Sequence, residues 1–368
     1  MEPFKNEFSY QKVQQIAKCL ANVYPKFSCQ KFNKQLEAAL IPLEMKQRMR
    51  LIADRIEAEL PHHPPEMFHI LLKLLPTGED ETNSLRGFLV WPLTEIVARR
   101  GLMHFKEAMT ALREMTPYFT CEFAIRPFLH REPAQTLAQL HDWCDHPNPH
   151  VRRLVSEGSR PLLPWGERLN EMLAAPFPTL CLLEKLYRDP CASVRLSVSN
   201  HLNDLSKHHP SKVLETLKRW KKAHPKDPAV DKVARHACRT LLKDGHPDAL
   251  RFHGFASADA LKMEVFELSE KSIRLGESIH YRAVIHNDSS RVLKVMFDYA
   301  ILHRKANDTL SPKVFKGRIR TLMAGARCEI LGSHSLKPVT TRVYHLGRQG
   351  IEPRLNGRAF PAVSFTLK

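Results

Sequence analysis

Two stretches of this sequence repeat each other. DHPNPHVRRLVSEGSRP begins at Asp145 and DPCASVRLSVSNHLND begins at Asp189. The pairs Val151/Val194, Arg152/Arg195, Val155/Val198 and Ser156/Ser199 each stand 43 positions apart. That period belongs to HEAT-type helical pairs, whose single copies cannot bury their own apolar faces and must stack on the next copy. A weaker third copy, DPAVDKVARHACRTL, begins at Asp227 after a shorter step. Within each copy Asp and Pro suit a helix start, and the paired valines suit packing against a neighbouring repeat.

The surrounding sequence agrees with this reading. In MKQRMRLIADRIEAEL (45–60) the apolar residues Met49, Ile52, Ala53, Ile56 and Leu60 fall at helical spacing, and the segments at 102–115 and 211–223 have the same character. Pro76, Pro117, Pro133, Pro147, Pro164, Pro178, Pro190, Pro210 and Pro228 punctuate the joints, so the spacing predicts many short helices. Near residue 258 the pattern changes. MEVFELS, SIHYRAVIHN, LKVMFDYAILHR, VFKGRIRTLM and VSFTLK alternate or run apolar, with turn formers such as HNDSS and KAND between them. The expected architecture is mainly α: a HEAT-like α-solenoid over residues 1–257, then an all-β immunoglobulin-like sandwich of about seven strands over 258–368.

Charge narrows the partner. A net charge of +17, spread along the chain with no Lys/Arg tail, points to a folded basic surface for a polyanion. No apolar run is long enough for a membrane helix, and MEPFKNEFSYQKV lacks a secretory apolar core, so a cytoplasmic protein is expected, nucleoid-associated if bacterial. The eight cysteines form no C-x-x-C pair and read as reduced thiols. His62-His63 and His208-His209 are adjacent in sequence, a poor metal-ligand spacing, so neither a metal nor another cofactor is expected.

Within 149–210 the repeat register sets Glu157 opposite Asn200, one turn before Asp204. Two carboxylates would then share one wall with Arg152, Arg160, Arg195 and Lys207. An exposed Glu beside Arg is ordinarily a solvated ion pair. An acid facing a phosphate binder is misplaced unless the ligand carries positive charge at that point. Trp165, after Pro164, is expected at a helix start with its ring face presented outward. Glu122 stands in CEFAIRPFL, where Arg126 one turn later is a candidate partner, and Trp91, Trp143 and Trp220 read as core or rim.

These strings resemble the AlkC branch of the AlkC/AlkD family of alkylation-repair DNA glycosylases. The resemblance covers nearly all of residues 1–255. It runs through LEMKQRMRLIADRIEAELP, GFLVWPLTEIVARRGL, FTCEFAIRPFL, HVRRLVSEGSRPLLPWG and SVRLSVSNHLNDLSKHHP. The C-terminal segment is similar to the immunoglobulin-like extension of a subset of that branch. The resemblance implies hydrolysis of the N-glycosidic bond of N3-methyladenine and N3-methylcytosine in double-stranded DNA. It also implies an active-site group of Glu122, Glu157, Trp165 and Asp204.

The chemistry suits these residue types. A ring-alkylated base is already a cation and leaves readily, and the deoxyribose then gathers positive charge that fixed carboxylates stabilise. One carboxylate can orient or deprotonate the attacking water. Asp204 and Glu157 are expected to flank sugar and water with Glu122 as a third acidic wall, their division of roles being open. Arg152, Arg160, Arg195 and Lys207, with Arg348, Arg354 and Arg358 in a sandwich loop RQGIEPRLNGR, are the expected phosphate contacts of a monomer, the sandwich serving as an accessory DNA clamp. Two other readings are a non-catalytic helical-repeat binder of distorted nucleic acid and a protein-interaction adaptor.

Overall fold

The computed structural model describes residues 3–76, 84–339 and 342–368. Among them, 17 α-helices and three 3-10 turns precede residue 261, and nine strands follow it. The architecture is mainly α with a C-terminal two-sheet sandwich, as expected. None of the described helices is long and apolar enough to cross a membrane. Two compact units emerge, Met1–His208 with Pro228–His236, and His209–Asp227 with Ala237–Lys368.

In the first unit the sequence repeat reappears as a repeat of hydrogen bonds. Helix Pro149–Gly158 is capped by Asn148, whose Oδ1 accepts from His150 N at 2.8 Å. Arg152, on its first turn, reaches back to the carbonyls of His146 and Pro147 at 2.8 and 2.9 Å. One period later, on helix Ala192–Ser206, Arg195 does the same to the carbonyls of Asp189 and Pro190. Each arginine thus closes the turn that enters its own helix. Arg152 also grips the Asp189 carboxylate with two nitrogens, at 2.6 and 3.0 Å, tying one repeat to the next. Val151, Val155, Val194 and Val198 are buried between these helices. On the second helix Asn203 and Asp204 are also interior, each 2% exposed, whereas Lys207 is exposed.

The second unit takes in helices as well as strands. Helix Pro247–Phe252 packs on helix Pro210–Ala223. The turn at Gly245 lies so close to Gly357 that a Cβ on Gly357 would sit 2.1 Å from the Gly245 Cα. Asn356 donates to the Ala256 carbonyl at 2.9 Å. The strands are β1 Leu261–Leu268, β2 Ser272–Ile273, β3 Ser278–Asn287, β4 Leu293–Arg304, β5 Leu310–Leu322, β6 Arg327–Ser335, β7 Gly347–Leu355, β8 Arg358–Ala359 and β9 Val363–Leu367. One sheet runs β1-β3-β6 and the other β2-β9-β7-β4-β5, with β8 on β7. Alternate residues of β3, among them Ile279, Tyr281, Ala283 and Ile285, meet Phe297, Ile301, Ile351 and Phe365 in the core between the sheets.

Here the sequence reading needs a correction. RQGIEPRLNGR is no loop: most of it is β7, an interior strand despite Pro353. The ladder to β9 stops at Ile351 and the pairing to β8 starts at Arg354, so Pro353 falls in the gap where no donor is required.

Candidate active site

Helix Pro149–Gly158 ends two residues before Arg160, and its last four carbonyls need partners. Each finds one. Ser159 Oγ donates to Val155 O at 2.6 Å, His201 Nδ1 lies 3.0 Å from Ser156 O, Arg160 N donates to Glu157 O at 3.2 Å, and Arg126 Nη1 donates to Gly158 O at 2.8 Å. A carbonyl only accepts, so His201 carries its proton on Nδ1. Burial pushes this imidazole down to about 4. Ser156 adds a second tie to the same neighbouring helix, Oγ to Ser197 Oγ at 2.7 Å. The helix end that carries Glu157 is therefore fixed from three other segments.

Because the helix has ended, Arg160 does not continue along its outer face. The chain turns inward there and lays the guanidinium between the carboxylates. Nη1 donates to Glu157 Oε1 at 2.6 Å and Nε donates to Asp204 Oδ2 at 2.9 Å. Burial alone would lower the arginine's pKa, but the bonds to Asp204 and Glu157 reverse this and raise it. Arg153 adds a similar bridge, Nη1 to Glu122 Oε2 at 3.2 Å and Nη2 to Glu157 Oε2 at 3.8 Å. Lys207 Nζ stands 3.7 Å from Asp204 Oδ1. The result is an alternating row, Glu122, Arg153, Glu157, Arg160, Asp204, Lys207, in which every acid lies between or beside cations.

Within this row the carboxylates are unevenly held. Glu157 Oε1 and Asp204 Oδ2 are in hydrogen bonds, whereas among the described residues Glu157 Oε2 and Asp204 Oδ1 have only ion-pair contacts beyond hydrogen-bond reach. The side chains are 7% and 3% exposed, so an edge alone reaches the surface. Glu122, at 12%, also accepts from Thr120 Oγ1 at 2.8 Å and sits in the turn before helix Arg126–Arg131. Gly158 permits that turn to come close, since a Cβ there would meet Ile125 Cγ2 at 2.6 Å.

Trp165 is placed differently from expectation. It lies in the turn after Arg160 and not at a helix start, with φ 65° and an indole 58% exposed. A left-handed backbone under a large side chain is costly, so the surrounding contacts must hold this turn in place. Lys46 Nζ donates to its carbonyl. Arg126, the partner expected for Glu122, instead organises this turn. It is 1% exposed and donates to the carbonyls of Gly158, Arg160 and Glu167. Burial lowers it to about 10. Trp165 borders a cleft of about 250 Å³ with Trp91, Phe123 and the cations Lys46, Arg50 and Arg99.

The expected phosphate contacts divide. Arg160 is buried between the acids, and the partly exposed Arg152 and Arg195 are engaged in the intramolecular bonds described. Arg354 is 18% exposed and pairs with Glu352 at 2.7 Å. Lys207, Arg348 and Arg358 present exposed side chains, though Arg348 touches Ser364 and Arg358 reaches Asp259 at 3.2 Å. Trp91, Trp143 and Trp220 are buried. Sequence reasoning passed over His201 and Lys46, and gave Arg126 a different partner from the carbonyls it serves.

Known proteins are similar to this chain in sequence and in fold. The chain is 34% identical over 368 residues to Uncharacterized protein YhaZ of Bacillus subtilis (strain 168), with 100% of both covered. The family described as Uncharacterised protein YhaZ, C-terminal Ig-like domain, matches residues 262–368. The structure of Pseudomonas fluorescens alkylpurine DNA glycosylase AlkC bound to DNA containing an abasic site analog is similar at a TM-score of 0.91 and 35% identity, over 100% of each chain. With this identity and this fold shared end to end, the chain belongs to the AlkC branch of the AlkC/AlkD family.

Proposed function

We propose that this protein is a monofunctional DNA glycosylase that hydrolyses the N-glycosidic bond of cationic alkylated bases, N3-methyladenine and N3-methylcytosine, and leaves an abasic site. The similar protein of Pseudomonas fluorescens is an alkylpurine DNA glycosylase bound to DNA containing an abasic site analog. One observation carries the reading: Glu157 and Asp204 converge on a single guanidinium, each anchored through one oxygen and each keeping the other out of hydrogen bonds among the described residues.

The lesion arrives with its leaving group already charged, so the protein need not protonate it. As the C1′–N bond stretches, charge moves to the sugar, and the unanchored oxygens Glu157 Oε2 and Asp204 Oδ1 stabilise it more than they stabilise the intact nucleotide. Water oriented by one of them attacks C1′. Arg160 fixes both carboxylates before DNA arrives, so little reorganisation remains at the moment of reaction. Glu122 closes the acidic wall through Arg153, and the open Trp165 face receives a cationic base or sugar, an attraction worth about 0.5–2 kcal/mol. Residues 1–257 act as the catalytic domain of a monomer and 258–368 as an accessory DNA-binding domain.

The test is release of free base from duplex DNA carrying N3-methyladenine or N3-methylcytosine. Asp204→Asn and Glu157→Gln are expected to slow single-turnover excision about a hundredfold or more while affinity for undamaged duplex stays near that of the parent. Undiminished excision by both variants and by their double mutant would reject the site.

A further inference from the structure

Outside the acid row, one pocket has an unusual wall. A cleft of about 380 Å³ opens at the end of the sandwich where β4 finishes, β5 begins and the chain approaches β7. Six of its lining residues are basic or imidazole, His303, Arg304, Lys305, Lys313, Arg342 and His345, and none is a carboxylate. Arg304 is partly neutralised by Asp308 at 2.7 Å. Lys305, Lys313 and Arg342 have no carboxylate partner among the described residues, and Lys313 lies 5.4 Å over the Phe315 ring.

His303 makes this more than a basic surface. It is 7% exposed, and neither ring nitrogen has a hydrogen-bond partner. Its neighbour Gln349 is engaged elsewhere, accepting from Arg304 N at 3.2 Å and donating to His345 O at 2.8 Å. A buried imidazole with two unsatisfied nitrogens costs free energy unless a ligand completes it. The groups facing the ring are Lys313 from β5, His334 from β6, the Gln349 amide from β7, and Arg342, Tyr344 and His345 from the approach to β7. None of these is an anion, and the Gln349 amide only partly offsets the cations. Burial, then Arg342, His334 and Lys313, push His303 down to about 4, and burial with Arg342 and Lys313 does the same to His334. An anion in the cleft would relieve that repulsion and give His303 an acceptor.

We infer that this cleft binds a phosphate oxyanion, gripped by Lys313 and Arg342 at its mouth and by His303 at its floor. The test reads anion binding alone and needs no alkylated DNA. The full chain is titrated with sodium sulfate, whose charge is constant near neutrality, and with inorganic phosphate, each balanced with chloride to constant ionic strength. The His303 ring signals, assigned with His303→Gln, are followed by NMR. Saturable shifts are expected, with the His303 titration moving up from about 4, and the Lys313→Ala/Arg342→Ala double variant binding at least about tenfold more weakly at unchanged Tm. Two further arms identify the source. Displacement of sulfate by an undamaged duplex without terminal phosphates assigns a backbone phosphodiester, whereas displacement by a 5′-phosphorylated nucleoside alone assigns a terminal or free phosphate. His303 signals no more sensitive to sulfate than to chloride, equal binding by the double variant, or displacement by neither competitor would overturn the inference.

Discussion

Removing Arg160 should expose how the acid row is held together. Replacement by methionine keeps an unbranched stem but deletes the guanidinium charge between Glu157 and Asp204, whose contacts to it are 2.6 and 2.9 Å. At a separation on the order of 5 Å, two facing carboxylates repel by about 3 kcal/mol at an effective dielectric of about 20. Breaking a buried ion pair from one side costs about 3–5 kcal/mol by the same reasoning. Arg160→Met should therefore lose about that much unfolding free energy in urea at neutral pH, and excision should fall with it. Arg160→Lys keeps the charge without the fork and should lose less. The decisive companion is Arg160→Met with Glu157→Gln and Asp204→Asn, which removes the repulsion and should recover most of the stability while excision stays lost. An Arg160→Met protein within about 1 kcal/mol of the parent would refute the bridging role.

Three further outcomes follow from geometry already given. His201 stays neutral down to about 4 in the folded chain against an ordinary 6.5, so the unfolded chain takes up the proton first. Its stabilising effect is complete above pH 6.5 and falls on acidification by about 3 kcal/mol in all, a slope that His201→Asn should reduce in pH-dependent unfolding. Trp165→Ala should leave stability within about 0.5 kcal/mol, the ring being open to solvent, yet slow excision about tenfold; a matching loss of Tm would make it a packing residue. Gly158→Ala forces a methyl against Ile125 and should cost about 1–3 kcal/mol by thermal unfolding, with a loss of excision as the Glu122 turn is pushed away.

The repeat was legible because it is local. A period of 43 residues predicts equivalent helices, and the matched staples of Arg152 and Arg195 are its physical content. The same register set Glu157 near Asp204. What stayed hidden was where helices stop. Extending the pattern past Gly158 sends Arg160 outward to phosphate, whereas the turn that follows sends it inward between two acids. Arg126 was hidden for a related reason, because the carbonyls it satisfies lie more than thirty residues ahead in the chain. In the sandwich, Pro353 disguised an interior strand, since sequence does not show that the ladder lapses beside it.

The path of the chain has a practical consequence. It passes from one compact unit to the other at His208/His209, Asp227/Pro228 and His236/Ala237, so neither unit is a continuous length of polypeptide. Severing the chain at 257/258, where helices give way to strands, would strand the Gly357 hairpin without the Gly245 turn and leave the Asn356 amide without the Ala256 carbonyl. Fragments cut at that point are expected to be poorly soluble, and a silent fragment would say nothing of what the intact protein can do.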